Sequence, residues 1–330
     1  MARRGLTATR AVQLEVALKE LLQAAGELDG GEGSNGDALR VALLEGRVFL
    51  EGRRLAEGTE LTSTITPGQR LELGAPAQNT DEAPRVLDER WGLLAVYKPS
   101  GLASEPDQRS NDSVLERLEG SLGQRLHALS RLDAQVSGVM LLTTETARKR
   151  AAELMASGAI ERRYVGIVGD GVEPESGTWR GAIGAVSDAR SQRGKRRVGG
   201  RDAKPAVTHY RTLQCLPEAA AALQVRRGRE RLELRPVWLG FRLETGRTHQ
   251  IRVHCAHAGA PLLGDGLYGG AAAVTLPRGN VFEFERIGLH ALGVSVVHAG
   301  STWRVDCPPP PILERWWSAF GGEPASLDDF

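Results

Sequence analysis

Residues 130–139 read Ser130-Arg131-Leu132-Asp133-Ala134-Gln135-Val136-Ser137-Gly138-Val139. A polar loop holding an arginine and an aspartate runs directly into the apolar stretch VSGVMLLTT (136–144). A carboxylate at such a loop end can face a cleft while a rigid strand fixes its backbone. From spacing alone, Asp133 reads first as a turn ion pair or a cap. Two further stretches stand out. LETGRTHQIRVH (243–254) interleaves apolar and polar residues and carries Arg247 and Arg252. Arginine can clamp a carboxylate or phosphate with two parallel bonds, although an exposed strand with solvated charges has the same spacing. RRYVGIV (162–168) places Tyr164 on a strand. Its ring could pack on a base, or sit in a core with its hydroxyl satisfied.

Outward from these stretches, a block runs from Arg85 to about Glu314. It opens with the strand-like WGLLAVYKPSG (91–101) and contains a helix over TARKRAAELMASG (146–158). Strands, turns and a few helices follow without regular βαβ alternation. That pattern predicts a mixed α+β sheet, not a doubly wound one. Pro308–Pro311 close the block, and the acidic residues after Gly321 are expected to be loose. Upstream, APAQNTDEAP (75–84) is polar and contains two prolines, so it reads as a linker. Before it, apolar spacing predicts helices over 12–24 and 37–45, separated by the Gly30–Gly36 loop. Asp37 is a plausible N-cap and Gly46 a C-cap. Short strands are expected in RVFLEG (47–52) and QRLELG (69–74), with a turn at Pro67-Gly68. Two helices and a small sheet make a module of about 65 residues, a size some domains sustain alone.

Composition sets outer limits. The 330 residues are 41% hydrophobic, enough for a sizeable core, and the formal net charge is +1. No overall basic excess announces nucleic acid, so any RNA contact must come from local patches. The apolar runs fall far short of the roughly 18 residues a membrane span needs. Met1–Arg10 is basic but has no apolar core behind it, unlike a secretory signal. Cys215, Cys255 and Cys307 are odd in number and lack metal-ligand spacing, which fits a reduced cytoplasmic setting. His249, His254 and His257 have neither HExxH nor zinc-finger spacing, so no metal is expected. GDGLYGG (264–270) lacks the strand–GxGxxG–helix context of a dinucleotide loop, and no GxSxG elbow is present.

Taken together, the three stretches resemble the RluA-like family of RNA pseudouridine synthases over roughly residues 86–312. RLDAQVSG is similar to the family's catalytic-aspartate motif, and Arg163-Tyr164 to its basic–Tyr strand. TGRTHQIRVH followed by AHAGAPLLGDGLYG (256–269) is its most recognisable segment, and KPSG (98–101) and LHA (289–291) fit as well. The resemblance implies an α+β catalytic domain at 86–314 with a mixed, mainly antiparallel sheet, then a tail at 315–330. It implies Asp133 as the catalytic group, attacking the ribose or assisting uracil loss through a glycal, two routes the residues do not separate. Arg252 would be its basic partner, since an arginine beside a carboxylate favours the charged form. Tyr164 would stack on the uracil and help remove the C5 proton. Arg131 would fill the gap left by a flipped uridine, and Arg247 would contact RNA. No cofactor is implied, because bond energy is nearly conserved in the isomerisation. Two positions depart from the pattern. Ser130 stands where the family usually has His or a similar polar group, and Val136 replaces a usual Thr.

The family also carries an RNA-gripping loop before its KPAVTHY-like strand. Here DARSQRGKRRVGGRDAK (188–204) holds Arg193, Lys195, Arg196 and Arg197, and reads as a mobile loop able to grip phosphates. The hairpin-like Arg226-Arg227-Gly228-Arg229 is a weaker basic stretch. Residues 11–74 resemble an S4 RNA-binding domain, preceded by a basic tail at 1–10 and followed by a linker at 75–85. Arg40, Arg47, Arg53 and Arg54 would be its RNA contacts. The expected partner is structured RNA, with large-subunit ribosomal RNA ahead of transfer RNA, and the expected state is a monomer. The competing reading is a non-catalytic RNA-binding or ribosome-assembly protein on the same fold.

Overall fold

The computed structural model describes residues 4–24, 39, 42–43, 48–51, 53–55, 59–73, 82–106, 111–186, 194–217, 220, 222–227, 230–277, 279 and 281–323. Contacts divide the chain into two compact units, 1–81 with 101–121, and 82–100 with 122–330.

In the first unit, helix α1 (Leu14–Ala24) buries Leu14, Ala17, Leu18, Leu21 and Leu22. These positions repeat at three and four residues, so they form one apolar stripe. The stripe belongs to a core with the helical residues Leu39, Ala42 and Leu43 and with Val48, Ile65, Leu71 and Leu73. Strands β1 (Arg4–Thr7), β2 (Val12–Gln13), β3 (Val48–Leu50), β4 (Arg53–Arg54), β5 (Thr64–Ile65) and β6 (Arg70–Leu73) complete it. The sheet order is β1-β6-β3-β4, with β2 and β5 as a separate pair. Residues 4–7 are therefore not part of a basic tail. Leu6 stands opposite Leu71 and joins the core, and β1 covers what would otherwise be an open edge of β6. The Gly30–Gly36 loop, Arg40, Gly46 and Arg47 lie outside the described residues. Residues 101–121, expected inside the catalytic block, group with the first unit instead. They leave the sheet after Ser100, form a bridge between Ala103 and Ser113, and begin α2 (Val114–Leu122), where Ser113 Oγ accepts from Glu116 N at 3.2 Å.

The second unit starts with β7 (Arg85–Arg90), β8 (Leu93–Lys98), β9 (Leu126–Ala128), β10 (Ser137–Thr144), β11 (Ile160–Val168) and β12 (Ser176–Arg180). A small three-stranded sheet follows from β13 (Ile183–Ala185), β14 (Arg196–Val198) and β15 (Arg201–Lys204). The basic stretch expected as a mobile loop is thus strand over its second half. Glycines permit this: a Cβ at Gly200 would sit 2.6 Å from the Gly184 and Ala185 backbone, so the strands can approach only without one. Next come β16 (Val207–Cys215), β17 (Leu223–Arg227), β18 (Glu230–Leu234), β19 (Val237–Leu243), β20 (Ala273–Thr275), β21 (Val281–Glu283), β22 (Leu289–His298) and β23 (Ser301–Asp306).

The main sheet runs β12-β16-β19-β11-β22-β10-β8-β7, with β23 on β22 and β9 on β10. Its described pairs are antiparallel except β10 with β22, which is parallel and pairs Ser137 with His290 and Gly138 with Ala291. At that seam Gly138 has φ +117°, and a Cβ there would meet the Ala291 carbonyl oxygen at 2.2 Å. The Ser-Gly pair of the loop motif is therefore a requirement of the sheet. One core packs α3 (Arg148–Ala156), through Ala151 and Leu154, against Leu141, Val294, Val296 and Trp303. A second core is built by α5 (Pro311–Ala319), whose Leu313, Trp316 and Trp317 pack with Val165, Ile167 and Trp238. Residues 315–320 are therefore core, not tail. Pro311 opens the helix at a position where its missing N–H costs nothing, and the two tryptophans are 1% exposed. Residues 324–330 lie outside the described set. No described helix is long and apolar enough to cross a membrane.

Candidate active site

The loop between β9 and β10 is held almost entirely through its backbone. Val136 N donates to Asp133 O at 2.9 Å, closing a tight turn. Leu129 N and Ser130 N donate to Leu141 O at 2.9 and 3.3 Å, and Ser130 Oγ accepts from Leu141 N at 3.0 Å. From the end of β8, the fully buried Lys98 sends its Nζ to three carbonyls: Pro99 at 2.8 Å, Ala134 at 3.0 Å and Val136 at 2.7 Å. Ser100 Oγ adds a bond to Gln135 O at 2.9 Å. Backbone groups on both sides of Asp133 are thus pinned, and its side chain remains 24% exposed.

Opposite the loop stands α4 (Gln250–His257), where the sequence pattern had allowed an exposed strand. Arg252 on this helix forks onto Asp265, Nε to Oδ2 at 2.7 Å and Nη2 to Oδ1 at 2.8 Å. Its remaining nitrogen, Nη1, donates to Asp133 Oδ2 at 2.8 Å. Burial works against the Arg252 charge, but the bonds and charge of Asp265, then those of Asp133, more than offset it and raise its pKa. One guanidinium between two carboxylates leaves a net negative site, and its exposed member is Asp133. Asp133 Oδ1 faces His249 Nε2 at 3.8 Å, while the Tyr268 ring lies under the guanidinium at 4.9 Å.

Tyr164 is buried on β11, and its hydroxyl is pushed up by burial, with Arg162 lowering it and Asp133 raising it further. The register of β11 against β22 shifts between Arg163 and Val165. Arg163, next to Tyr164, is buried and pairs with Asp306, a structural role. The assembly of an aspartate, a clamped arginine and a tyrosine, borne on a mixed sheet, suits chemistry on a ribose and an aromatic base.

The RNA pseudouridylate synthase family model matches residues 92–257. A ribosomal large subunit pseudouridine synthase D from Xanthomonas campestris is 33% identical over 300 residues, 84% of this chain and 80% of that relative. The chain belongs to the RNA pseudouridine synthase family. The synthase D of Pseudomonas aeruginosa is 33% identical over 291 residues, 81% of this chain and 83% of the relative. A solved structure, human RNA pseudouridylate synthase domain containing 1, shares the fold with a TM-score of 0.53 at 19% identity, covering 75% of this chain and 98% of that one.

In this pseudouridine synthase the other sequence candidates fall in distinct places. Arg131 is exposed two residues before Asp133. Arg247 is half-buried, its Nε donating to Pro205 O at 2.9 Å, which ties the 245–249 loop to the start of β16. Lys195 Nζ lies 5.8 Å from the Tyr268 ring, and the Arg196 backbone N–H donates to Tyr268 Oη at 2.9 Å. Arg197 is exposed on β14. Arg193, like Arg40 and Arg47, lies outside the described residues.

Sequence reasoning missed Lys98, Asp265, His249, Tyr268 and Arg286. Lys98, His249, Asp265 and Tyr268 stood inside quoted motifs, yet nothing local says that Asp265 faces Arg252. Arg286 Nη2 donates to Ser137 Oγ at 2.9 Å and to Leu289 O at 2.9 Å. Ser137 then donates to His290 Nδ1 at 2.8 Å, and His290 Nε2 donates to Cys307 O at 2.9 Å. Burial drives the His290 pKa down to about 3, which keeps the ring neutral in this chain. His254 of the QIRVH helix is likewise committed. Gln250 Oε1 accepts from Thr245 Oγ1 and Arg247 N at 2.8 and 3.0 Å, and its Nε2 donates to Val207 O and Thr208 Oγ1 at 2.9 and 3.0 Å. Thr208 Oγ1 bonds His254 Nδ1 at 2.9 Å, and His254 Nε2 donates to Gly181 O at 3.2 Å.

Proposed function

We propose that this synthase isomerises uridines of large-subunit ribosomal RNA, with Asp133 as the nucleophile. The observation that carries the reading is the division of labour at the Asp133 carboxylate. Arg252 takes Oδ2, and Oδ1 is left to act. The relatives named for the ribosomal large subunit support the choice of RNA.

In the reaction, the N1–C1′ bond of uridine breaks and a C5–C1′ bond forms. The C5 proton leaves and N1 gains one, so no net electrons move. Asp133 attacks C1′ directly, or takes a ribose proton on the glycal route; both use the same free oxygen. Arg252 fixes the carboxylate through Oδ2, and is itself held by Asp265. Tyr164 would stack on the detached uracil and assist loss of the C5 proton. The base must leave its stack first, because A-form grooves are hard to read, and Arg131 would fill the vacated space. Lys195, Arg196 and Arg197 at β14, with Arg193 and Arg247, would hold phosphates. The N-terminal unit, read as S4-like, would add contacts through Arg40 and Arg47.

The test is tritium release from RNA labelled at uridine C5, for the wild type and Asp133→Asn. Release by the wild type alone is the expected result. Equal background release from both would overturn the reading in favour of a non-catalytic binder. Carbodiimide primer-extension mapping of ribosomal and transfer RNA, with and without the gene, then identifies the target. Sites confined to transfer RNA would reject the ribosomal assignment.

A further inference from the structure

His249 is unusual in its backbone as well as its place. It caps the start of α4 with φ +59°, the left-handed region that few non-glycine residues adopt. That conformation turns its ring toward Asp133 and Tyr268. Tyr268 Oη accepts the backbone N–H of Arg196 at 2.9 Å and lies 2.7 Å from His249 Nδ1. If the phenol donates to Nδ1, the phenol proton has its acceptor, and the imidazole proton falls on Nε2. The reverse assignment would leave the phenol proton without an acceptor among the described residues. Nε2 lies 3.8 Å from Asp133 Oδ1, the oxygen that Arg252 does not use. That gap exceeds a hydrogen bond, and a small rotation of the carboxylate closes it.

We propose that His249 is a positioning residue for the nucleophile, its Nε2–H orienting Asp133 Oδ1, with Tyr268 fixing the tautomer and linking it to the basic residues at β14. The inference rests on the reading of Asp133 as nucleophile. Through Arg196, whose backbone anchors Tyr268, seating of RNA on β14–β15 bears directly on the attacking oxygen. The charged and titratable groups around His249 are Asp133 on the loop, Arg252 on α4, Asp265 and Tyr268 after it, and Arg196 on β14. Burial lowers its pKa from the ordinary 6.5, Asp133 opposing and Arg252 assisting, so the ring is neutral when the enzyme works. Protonation would place a second cation beside the carboxylate, on the oxygen that Arg252 leaves free, and quench it.

The experiment measures single-turnover tritium release and RNA affinity between about pH 5 and 8 for several variants. His249→Asn keeps a residue suited to the left-handed backbone, but its shorter amide stops near the Nδ1 position and leaves no donor where Nε2 stood. It should lower the rate about 10- to 100-fold, with RNA affinity changed less than about twofold. His249→Gln, whose amide N–H reaches the Nε2 position without titrating, should recover most of that loss and lack the wild type's acid limb. Tyr268→Phe, which frees the tautomer, should cost about tenfold in rate. A His249→Asn enzyme at the wild-type rate would overturn the proposal. So would His249→Gln as slow as His249→Asn, or with the acid limb unmoved. Asp133→Asn is the control. If it turns over normally, the nucleophile assignment itself fails; if it is inactive while His249→Asn is unaffected, only the role of His249 fails.

Discussion

Replacing Lys98 with Met would test how the Asp133 loop is held. The side chain is fully buried, and two of its three acceptors, the carbonyls of Ala134 and Val136, belong to that loop. Met fills nearly the same volume but donates nothing. Each carbonyl left without a donor costs about 1–3 kcal/mol. Removing a desolvated ammonium returns part of this, so a net loss of about 2–3 kcal/mol is expected, read from the urea midpoint. The effect on rate should be larger than on stability. A displacement of about 1 Å at a reacting group can cost about 100-fold, and the loop backbone on both sides of Asp133 loses its anchor. Titration gives a second signature. Burial, then the Arg286 charge, pushes the Lys98 pKa from 10.5 to about 7, with Asp133 opposing. Above that value the amine has two protons for three carbonyls, so one of the three bonds is lost at any moment, the loop is held less tightly and the wild-type rate should fall. Stability moves the other way. Between about 7 and 10.5 the unfolded chain keeps a proton that the native state has released, so the contribution of Lys98 rises with pH across that window and is lost as pH falls through 7. Single-turnover tritium release and urea unfolding across this range check both trends. A Lys98→Met enzyme with the wild-type rate, or one that keeps the alkaline limb, would refute the clamp.

Arg252→Lys should lose about 1000-fold in single-turnover rate, because a single ammonium cannot fork onto Asp265 and also reach Asp133; RNA affinity by filter binding should change little. Gly138→Ala should destabilise by about 3 kcal/mol or more in urea unfolding, since a Cβ there meets the Ala291 carbonyl at 2.2 Å and φ is +117°. Trp316→Ala should cost about 3–5 kcal/mol by the same measurement, whereas a tail residue would cost nothing. Lys195→Gln with Arg197→Gln should weaken binding to all RNAs alike and reduce the salt slope by about 1–2, with the single-turnover rate at saturating RNA little affected.

Much of the site was legible in the sequence because its parts are local. RLDAQVSG announces a loop feeding a strand, and the resemblance paired Arg252 with Asp133, although the spacing of 243–254 allowed an exposed strand where the fold has the helix α4. The mixed α+β sheet followed from the lack of βαβ alternation, and its mainly antiparallel pairing from the family resemblance. Long-range partners were not legible. Ser137 meets His290 across 153 residues, and Lys98 reaches the Val136 carbonyl across 38, so no spacing records either contact. The charge run at 188–204 looked unstructured because its strands, Arg196–Val198 and Arg201–Lys204, are too short and polar to show a period. Their order comes from glycine backbones that touch. The proline run similarly masked α5. Pro308–Pro311 read as an end, but a proline at the first helical position is also a start, and the burial of Trp316 and Trp317 depends on partners such as Trp238 far along the chain.

Ser130 and Val136 were the two departures that put the loop geometry in question, and the surrounding bonds show why neither loosens it. A hydroxyl at position 130 is short, but it accepts the Leu141 N–H at 3.0 Å while its own backbone bonds Leu141 O. The loop base is therefore sealed by two bonds to one residue of β10, and a longer side chain adds nothing to that seal. At position 136 the side chain is 2% exposed, so a threonine hydroxyl there would need a buried partner of its own. Valine avoids that demand. The loop takes its fixed point from the Val136 carbonyl, which Lys98 holds at 2.7 Å, and from the Val136 N–H, which closes the turn on Asp133 O. Both contacts are made by the backbone and survive the exchange of threonine for valine. The position of Asp133 is thus set by a lysine 35 residues upstream and an arginine 119 residues downstream more than by its immediate neighbours. The motif tolerates change at its edges because the groups that aim the carboxylate are elsewhere in the chain.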